Sequence, residues 1–293
     1  MLRAYGLTDK GRTRPTNEDC FAIQEELGLC VVADGMGGHN AGEVAARLAV
    51  DAVVDFVRER SASLVGQPST SSSGQWTASL SPRQGSGQAG EPDTAAWPFG
   101  FDSALSTDGN LLRTAILLAN VQVLEAAISS NDYAGMGTTI VAARVAGGRL
   151  SVAHVGDSRL YLLDGRLRQV TRDDSWLVSM LTHDPNADPM MLQHHPMRNA
   201  LTNVVGARAQ TDVHVAEQAL HGGELMLLST DGVHGVLDDS RIEQMMLEDE
   251  EPGAIAHGVI RAALARGSRD NCTAVVARYT PPVAAALAQP TNL

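Results

Sequence analysis

The chain has 293 residues, of which 44% are hydrophobic, and its 34 acidic against 22 basic side chains leave a formal net charge of −12. That length supports one large domain or two small ones with a sizeable core. The acidic balance argues against nucleic acid or an anionic membrane surface as the main partner, and no uninterrupted apolar run approaches the roughly 20 residues that span a bilayer.

Met1-Leu2-Arg3-Ala4-Tyr5-Gly6 lacks the apolar stretch that follows the arginine of a signal peptide. Cys20, Cys30 and Cys272 are odd in number and form no CxxC pair, which speaks against a disulfide framework or a zinc site and for a cytoplasmic location. Cys30 and Cys272 each adjoin an apolar strand and are expected to be buried thiols.

Tyr5 to Lys10 reads as a strand, and Gly11 to Asp19 as a polar loop. Phe21 to Ile23 and Leu29 to Ala33 predict a hairpin around the turn Gln24 to Glu26. Val44, Leu48, Ala52 and Phe56 recur every fourth residue and draw an apolar stripe on a helix from about Ala41 to Arg60. Residues 61–108 are rich in Ser, Gly, Gln and Pro, a composition that buries too little surface to offset its ordering entropy, so a mobile insertion is expected there. Within it, Trp97-Pro98-Phe99-Gly100-Phe101 carries three aromatics that could dock on the body. A second helix is predicted from about Asn110 to Ile128, with Asp108 near its cap.

Next come Thr138 to Val145, Arg149 to Val155, Arg159 to Leu163 and Arg166 to Val170, joined by Gly147-Gly148 and Asp164-Gly165. Such two-residue connections signal antiparallel hairpins. Residues 171–210 read as irregular and polar with Met-rich patches. Val213 to Ala219 and Glu224 to Ser229 form another hairpin, followed by helices near Ser240 to Leu247 and Gly253 to Arg266, a last strand at Thr273 to Tyr279 and a loose tail from Pro281. Helices segregated from antiparallel strands indicate an α+β architecture of stacked layers.

Four of the strand ends carry an aspartate. Val31-Val32-Ala33-Asp34-Gly35 is repeated in design by Leu227-Leu228-Ser229-Thr230-Asp231-Gly232, Asp157 ends the run Val152 to Gly156, and Asp270 precedes Thr273 to Ala277. If these carboxylates converged they would repel one another, and cations would be needed to offset them. Ligands that are all oxygen suit magnesium or manganese.

Arg14-Pro15-Thr16-Asn17-Glu18-Asp19, Val32-Ala33-Asp34-Gly35-Met36-Gly37-Gly38, Gly137-Thr138-Thr139, Gly156-Asp157-Ser158-Arg159, Ser229-Thr230-Asp231-Gly232 and Asp270-Asn271-Cys272-Thr273 occur in this order. Together they resemble the ordered motifs of the metal-dependent protein phosphatases, the PPM or protein phosphatase 2C-like family, over residues 5–279. The resemblance implies one phosphatase domain over residues 1–280, built as a four-layer sandwich of two central antiparallel sheets flanked by helices, with a flap at 171–206 and a flexible tail at 281–293. It implies a bacterial-type serine/threonine phosphatase that opposes a partner kinase.

By the same resemblance, Asp34 would bridge two Mn²⁺ or Mg²⁺ ions, with Gly35 offering its carbonyl and Asp231 and Asp270 completing the pair. Asp157 with Asp231 would fit a third, weaker ion. Asp19 and Glu18 would orient metal-bound waters, and Arg14 would clamp the phosphoryl oxygens, to which its planar fork is suited. Two ions sharing a water lower its pKa and aim it at phosphorus without a covalent intermediate. Only Cys272 has an Arg six residues on, Arg278, and the run between them, Thr273 to Ala277, reads as an apolar strand and not as the phosphate-binding loop of a cysteine phosphatase.

Two departures stand out. Met36 follows Asp34-Gly35 where many relatives keep a histidine, and a methionine donates no proton. His39 is the candidate substitute acid or substrate contact. The family's Asp-His-Ser reads Asp173-Asp174-Ser175 here. His154 is expected to be a satisfied core residue, and His194-His195, if on a strand, would point opposite ways and not chelate. Phosphorylated proteins and a cognate kinase are the expected partners, with a monomeric chain. The rival readings are a non-catalytic phosphoprotein-binding module of the same fold and a metallohydrolase of small phosphoesters.

Overall fold

The apolar run from Leu29 to Ala33 is shut off from solvent on both faces. Its odd residues, Leu29, Val31 and Ala33, join one apolar cluster with helical residues, whereas Cys30 and Val32 join a second cluster with another sheet. Alternation with period two thus places this strand between a helical layer and a sheet layer. The computed structural model describes residues 1–38, 41–64, 97–184 and 187–282.

In chain order the elements are β1 (Leu2–Asp9), β2 (Asp19–Gln24), β3 (Leu29–Met36), α1 (Ala41–Leu64), α2 (Thr107–Ser129), β4 (Gly137–Thr138), β5 (Ile140–Ala146), β6 (Arg149–Val155), β7 (Arg159–Asp164) and β8 (Arg166–Gln169). There follow α3 (Trp176–His183), α4 (Pro189–Gln193), β9 (His214–Ala219), β10 (Leu225–Ser229), α5 (Asp231–His234), α6 (Asp239–Glu248), α7 (Pro252–Ala265) and β11 (Cys272–Tyr279). One sheet has the order β1-β11-β10-β7-β8 and the other β2-β3-β5-β6-β9, with β4 added to β3. Every pairing is antiparallel.

Helices α1 and α2 cover the second sheet through Ala45, Ala49, Val53, Leu112, Ile116 and Ala119. Helices α6 and α7 cover the first through Ile242, Met246, Ile255, Val259 and Ala263. Between the sheets lie Val141, Leu160, Leu162, Met226, Leu228 and Val275. This is the four-layer α+β sandwich that the sequence implies. At about 2–5 kcal/mol for each large side chain truncated to alanine, these clusters hold the strand ends in place.

Several boundaries move. Helix α1 runs on to Leu64 and α2 begins at Thr107, so the insertion is shorter than 61–108; residues 65–96 lie outside the described residues, as do 283–293 of the tail. Ser106 caps α2, accepting from the Gly109 amide at 3.1 Å, and Asp108 lies near the cap in the first turn, paired with Arg144 at 2.6 Å. Trp97 does dock, packing on the cluster under α1 and α2. Residues 171–210, expected to be irregular, contain α3 and α4, each started by a side-chain cap from Ser175 or Asp188. His194 and His195 follow α4 and are not on a strand.

Helix α2 is long and apolar enough to cross a membrane by length and composition, although charged residues interrupt its apolar runs. Its placement explains the apolarity: Leu111, Leu112, Ala115, Ile116 and Ala119 are buried on the sheet, and Asn110 and Asn120 bond backbone carbonyls within the protein. It is a core helix of the sandwich.

Candidate active site

The antiparallel pairings bring the last residues of β3, β6 and β10 and the first of β7 and β11 to one end of the sandwich. Asp34 lies two residues before the end of β3, Asp157 sits in the β6–β7 turn, Asp231 opens α5 just after β10, and Asp270 precedes β11. All four line a single cavity of about 410 Å³, together with Gly35 and Thr139. Arg14 and Glu18 form its rim from the loop before β2, and Met36, Leu201 and Val204 make an apolar wall. A larger groove of about 1040 Å³ at Leu27, Arg144, Leu220 and Tyr279 gathers no such set of acids.

The backbone around Asp34 is tightly specified. Its amide accepts no freedom: it donates to Thr139 Oγ1 at 3.1 Å, and its carbonyl receives the Thr139 amide at 2.9 Å and Thr138 Oγ1 at 2.9 Å. Gly35 must be glycine because a Cβ there would lie 2.0 Å from the Gly42 carbonyl oxygen. That close approach leads the chain from strand to helix α1 beside the carboxylates.

Asp19 faces Asp34 across the β2–β3 pair and lies behind the cavity. Its Oδ2 accepts from Thr273 Oγ1 at 2.6 Å and Thr230 Oγ1 at 2.9 Å. The Arg14 loop is pinned by Asn271, whose side chain accepts from the Glu18 amide at 2.8 Å and donates to the carbonyls of Lys10 and Thr16. Arg14 itself donates to Asp270 Oδ2 at 2.6 Å.

Burial, and then mutual repulsion, shape the electrostatics. Asp34 is held well above the usual carboxylate range, first by burial and then by Asp19, Asp231, Asp157 and Asp270. Burial and Asp231 push Asp157 up to about 7. Burial and Asp270 raise Asp231, and burial raises Asp19 against its two threonine hydrogen bonds. Arg14 is raised by its bond to Asp270. A site that disfavours its own negative charge is one that a cation stabilises.

The residues fit divalent metal. Asp231 Oδ1 and Asp19 Oδ1 are buried without a hydrogen-bond partner, the donors are all oxygen, and excess negative charge converges. Among the described residues no three His, Cys, Asp or Glu close tightly on one point, so an ion here would take part of its coordination from backbone carbonyl and water, as Mg²⁺ and similar ions do.

Of the residues singled out from sequence, Arg14, Glu18, Asp34, Gly35, Asp157, Asp231 and Asp270 meet at the cavity and Asp19 stands behind it. His39 lies outside the described residues. Met36 lines the cavity. His154 is buried and bonded to the Arg172 carbonyl at 2.9 Å, away from the acids, as expected of a core histidine. All three cysteines are free, with Cys30 and Cys272 buried. Sequence reasoning gave no role to Thr139, which stands in the quoted Gly137-Thr138-Thr139 motif, nor to Asn199, Leu201 and Val204, which carry no local signal and reach the cavity only because the flap folds back.

A sequence profile of the protein phosphatase 2C family matches residues 12–259. The chain is 30% identical over 279 residues to the serine/threonine phosphatase stp of Listeria welshimeri, covering 94% of this chain and 95% of that protein. It is 30% identical over 278 residues to the serine/threonine protein phosphatase PstP of Mycobacterium tuberculosis, covering 94% of this chain and 45% of that longer protein. The crystal structure of the PstP catalytic domain in complex with two manganese ions superposes with a TM-score of 0.70 at 28% identity, covering 96% of this chain and 99% of that one.

Proposed function

The chain belongs to the protein phosphatase 2C family, and we propose from that premise that it is a Mn²⁺- or Mg²⁺-dependent serine/threonine phosphatase whose chemistry is carried by Asp34, Asp231, Asp270 and Arg14. The observation that supports these residues most is the convergence of four aspartates from separate strands on one cavity rimmed by an arginine.

Asp34, the Gly35 carbonyl, Asp231 and Asp270 would hold two ions, and Asp157 with Asp231 a third. Bound divalent ions supply charge neutralisation for the phosphoryl group and a water acidic enough to attack near neutral pH. The chain's own residues do the rest. Arg14, with side-chain exposure of 49% at the rim, keeps further N–H donors beyond the one given to Asp270 and orients phosphoryl oxygens. Asp19, held by Thr230 and Thr273, keeps one buried oxygen without a hydrogen-bond partner, which would be available to orient a metal-bound water. Met36, Leu201 and Val204 exclude water along one wall. Met36 carries no proton for the leaving alkoxide.

Phosphorylated proteins are the substrates, and we place a cognate serine/threonine kinase opposite this enzyme, with a single catalytic domain over residues 1–280 working as a monomer. Three free thiols suit a cytoplasmic setting. Hydrolysis of a phosphothreonine peptide should require added Mn²⁺ and stop with EDTA. No turnover under any divalent ion would overturn the enzyme, and much faster cleavage of a small phosphoester than of any phosphoprotein would overturn the substrate class.

A further inference from the structure

Asp174 stands where the chain leaves the β7–β8 hairpin and enters the flap. Its side chain joins three parts of the molecule that are distant in sequence. Oδ2 accepts from the Gly156 amide at 3.0 Å and from Asn203 Nδ2 at 2.8 Å. Oδ1 meets His214 Nε2, on β9, at 2.8 Å. The backbone adds two more ties, because the Asp174 amide donates to the Gly156 carbonyl at 3.0 Å and its own carbonyl accepts from the Thr202 amide at 2.8 Å. Asn203 is itself fixed, donating to the Asp212 carbonyl and accepting from Thr211 Oγ1.

The Gly156 end of this network adjoins Asp157. Gly156 has a φ of +97°, and a Cβ there would lie 2.7 Å from Thr139. On the far side of Asp157, Ser158 Oγ pairs with Thr139 Oγ1 at 2.7 Å, and Thr139 holds the Asp34 backbone. The Asp157 backbone is therefore gripped from one side by Thr139 and from the other by Asp174. The second arm of Asp174 grips Thr202 and Asn203, directly between Leu201 and Val204, which wall the cavity.

We propose that Asp174 is a positioning residue that locks the Gly156–Asp157 turn to the returning limb of the flap, so that cation binding through Asp157 and ordering of the flap are one coupled event. It touches neither substrate nor the reacting atoms. The inference rests on the assignment of Asp157 as a metal-binding residue. Removing an outer partner of this kind weakens metal affinity by about 10- to 100-fold in other sites, and the same range is expected here for the ion that Asp157 holds.

The test uses the full chain and MnCl₂ alone as probe, reading Mn²⁺ affinity by calorimetry and backbone hydrogen exchange over residues 176–201 with and without the ion. In the native protein Mn²⁺ should slow exchange in the flap. Asp174→Ala should weaken the Asp157-dependent binding step at least tenfold and abolish that slowing. Asp174→Asn should restore both, because an amide oxygen can accept from Gly156 and Asn203 while its NH₂ donates to a neutral His214. If Asp174→Ala does not fold, Asn203→Ala removes the flap arm alone and should likewise uncouple exchange from Mn²⁺. An unchanged Mn²⁺ response in the folded variant, while Asp157→Ala does weaken binding, overturns the coupling. No effect of Asp157→Ala on Mn²⁺ binding overturns the metal assignment and the coupling with it.

Discussion

The guanidinium of Arg14 donates to Asp270 Oδ2 at 2.6 Å, so the cation proposed to bind phosphate and the anion proposed to bind metal sit in contact at the cavity although they are 256 residues apart in sequence. Arg14 is thereby held at the rim beside the acids. Arg14→Ala should lower kcat/KM by about 10- to 100-fold, the equivalent of a charge-assisted hydrogen bond worth about 1.5–3 kcal/mol, while Mn²⁺ binding measured by calorimetry persists. Arg14→Lys should recover only part of the loss, since the point charge lacks the planar fork.

Asp231→Ala should abolish turnover, by about 10³-fold or more if the ions contribute several kcal/mol to the transition state. The fold should survive. In EDTA the melting temperature should stay level or rise, because Asp231 is buried with an unpartnered oxygen and repelled by Asp270. Native protein should gain about 2.7 kcal/mol of stability at an Mn²⁺ concentration 100 times its Kd, and the variant should lose most of that gain. Calorimetric melts with and without Mn²⁺ measure both.

His154 is pushed below the ordinary histidine value of 6.5, first by burial and then by neighbouring His214, against the Arg172 carbonyl, Asp174 and Asp173. The unfolded chain takes up a proton near 6.5 and the folded chain only at lower pH, so over that window the unfolded state binds more protons and stability falls as pH falls. His214 runs the other way. Its bond to Asp174 raises it above 6.5, so its contribution is full below 6.5 and is lost as pH rises through the folded value. Urea titrations at pH 5 to 8 should show His154→Gln flattening the acid-side decline and His214→Gln lowering stability at the acid end only.

Gly35→Ala places a methyl 2.0 Å from the Gly42 carbonyl, a contact with backbone that no rotamer relieves. Destabilisation of at least about 1–3 kcal/mol is expected, read as a drop of about 2–4 °C in melting temperature per kcal/mol, with Mn²⁺ affinity falling in parallel. Gly38→Ala is the control, since nothing lies within 4 Å of a Cβ there.

The chemistry of this protein was legible in one dimension. Four aspartates at the ends of apolar strands, the Gly-Gly and Asp-Gly hairpin turns and the helical stripe of α1 are local patterns, and each states its own structure because period, turn type and charge are properties of neighbouring residues. From them the sequence by itself determined the layered α+β class, the acidic oxygen-only cluster and the division between buried thiols and strand-end acids. Where it misjudged, the missing information was not local. Helices α3 and α4 form in a stretch that reads as irregular because Ser175 and Asp188 cap them and the flap folds back on the body. Tertiary structure alone decided that Arg14 meets Asp270, that Thr139 carries the backbone of Asp34, and that Asp174 ties Gly156 to Asn203. Each of those is a hydrogen bond between atoms far apart in sequence, and its existence depends on the antiparallel registers that bring the strand ends to one place.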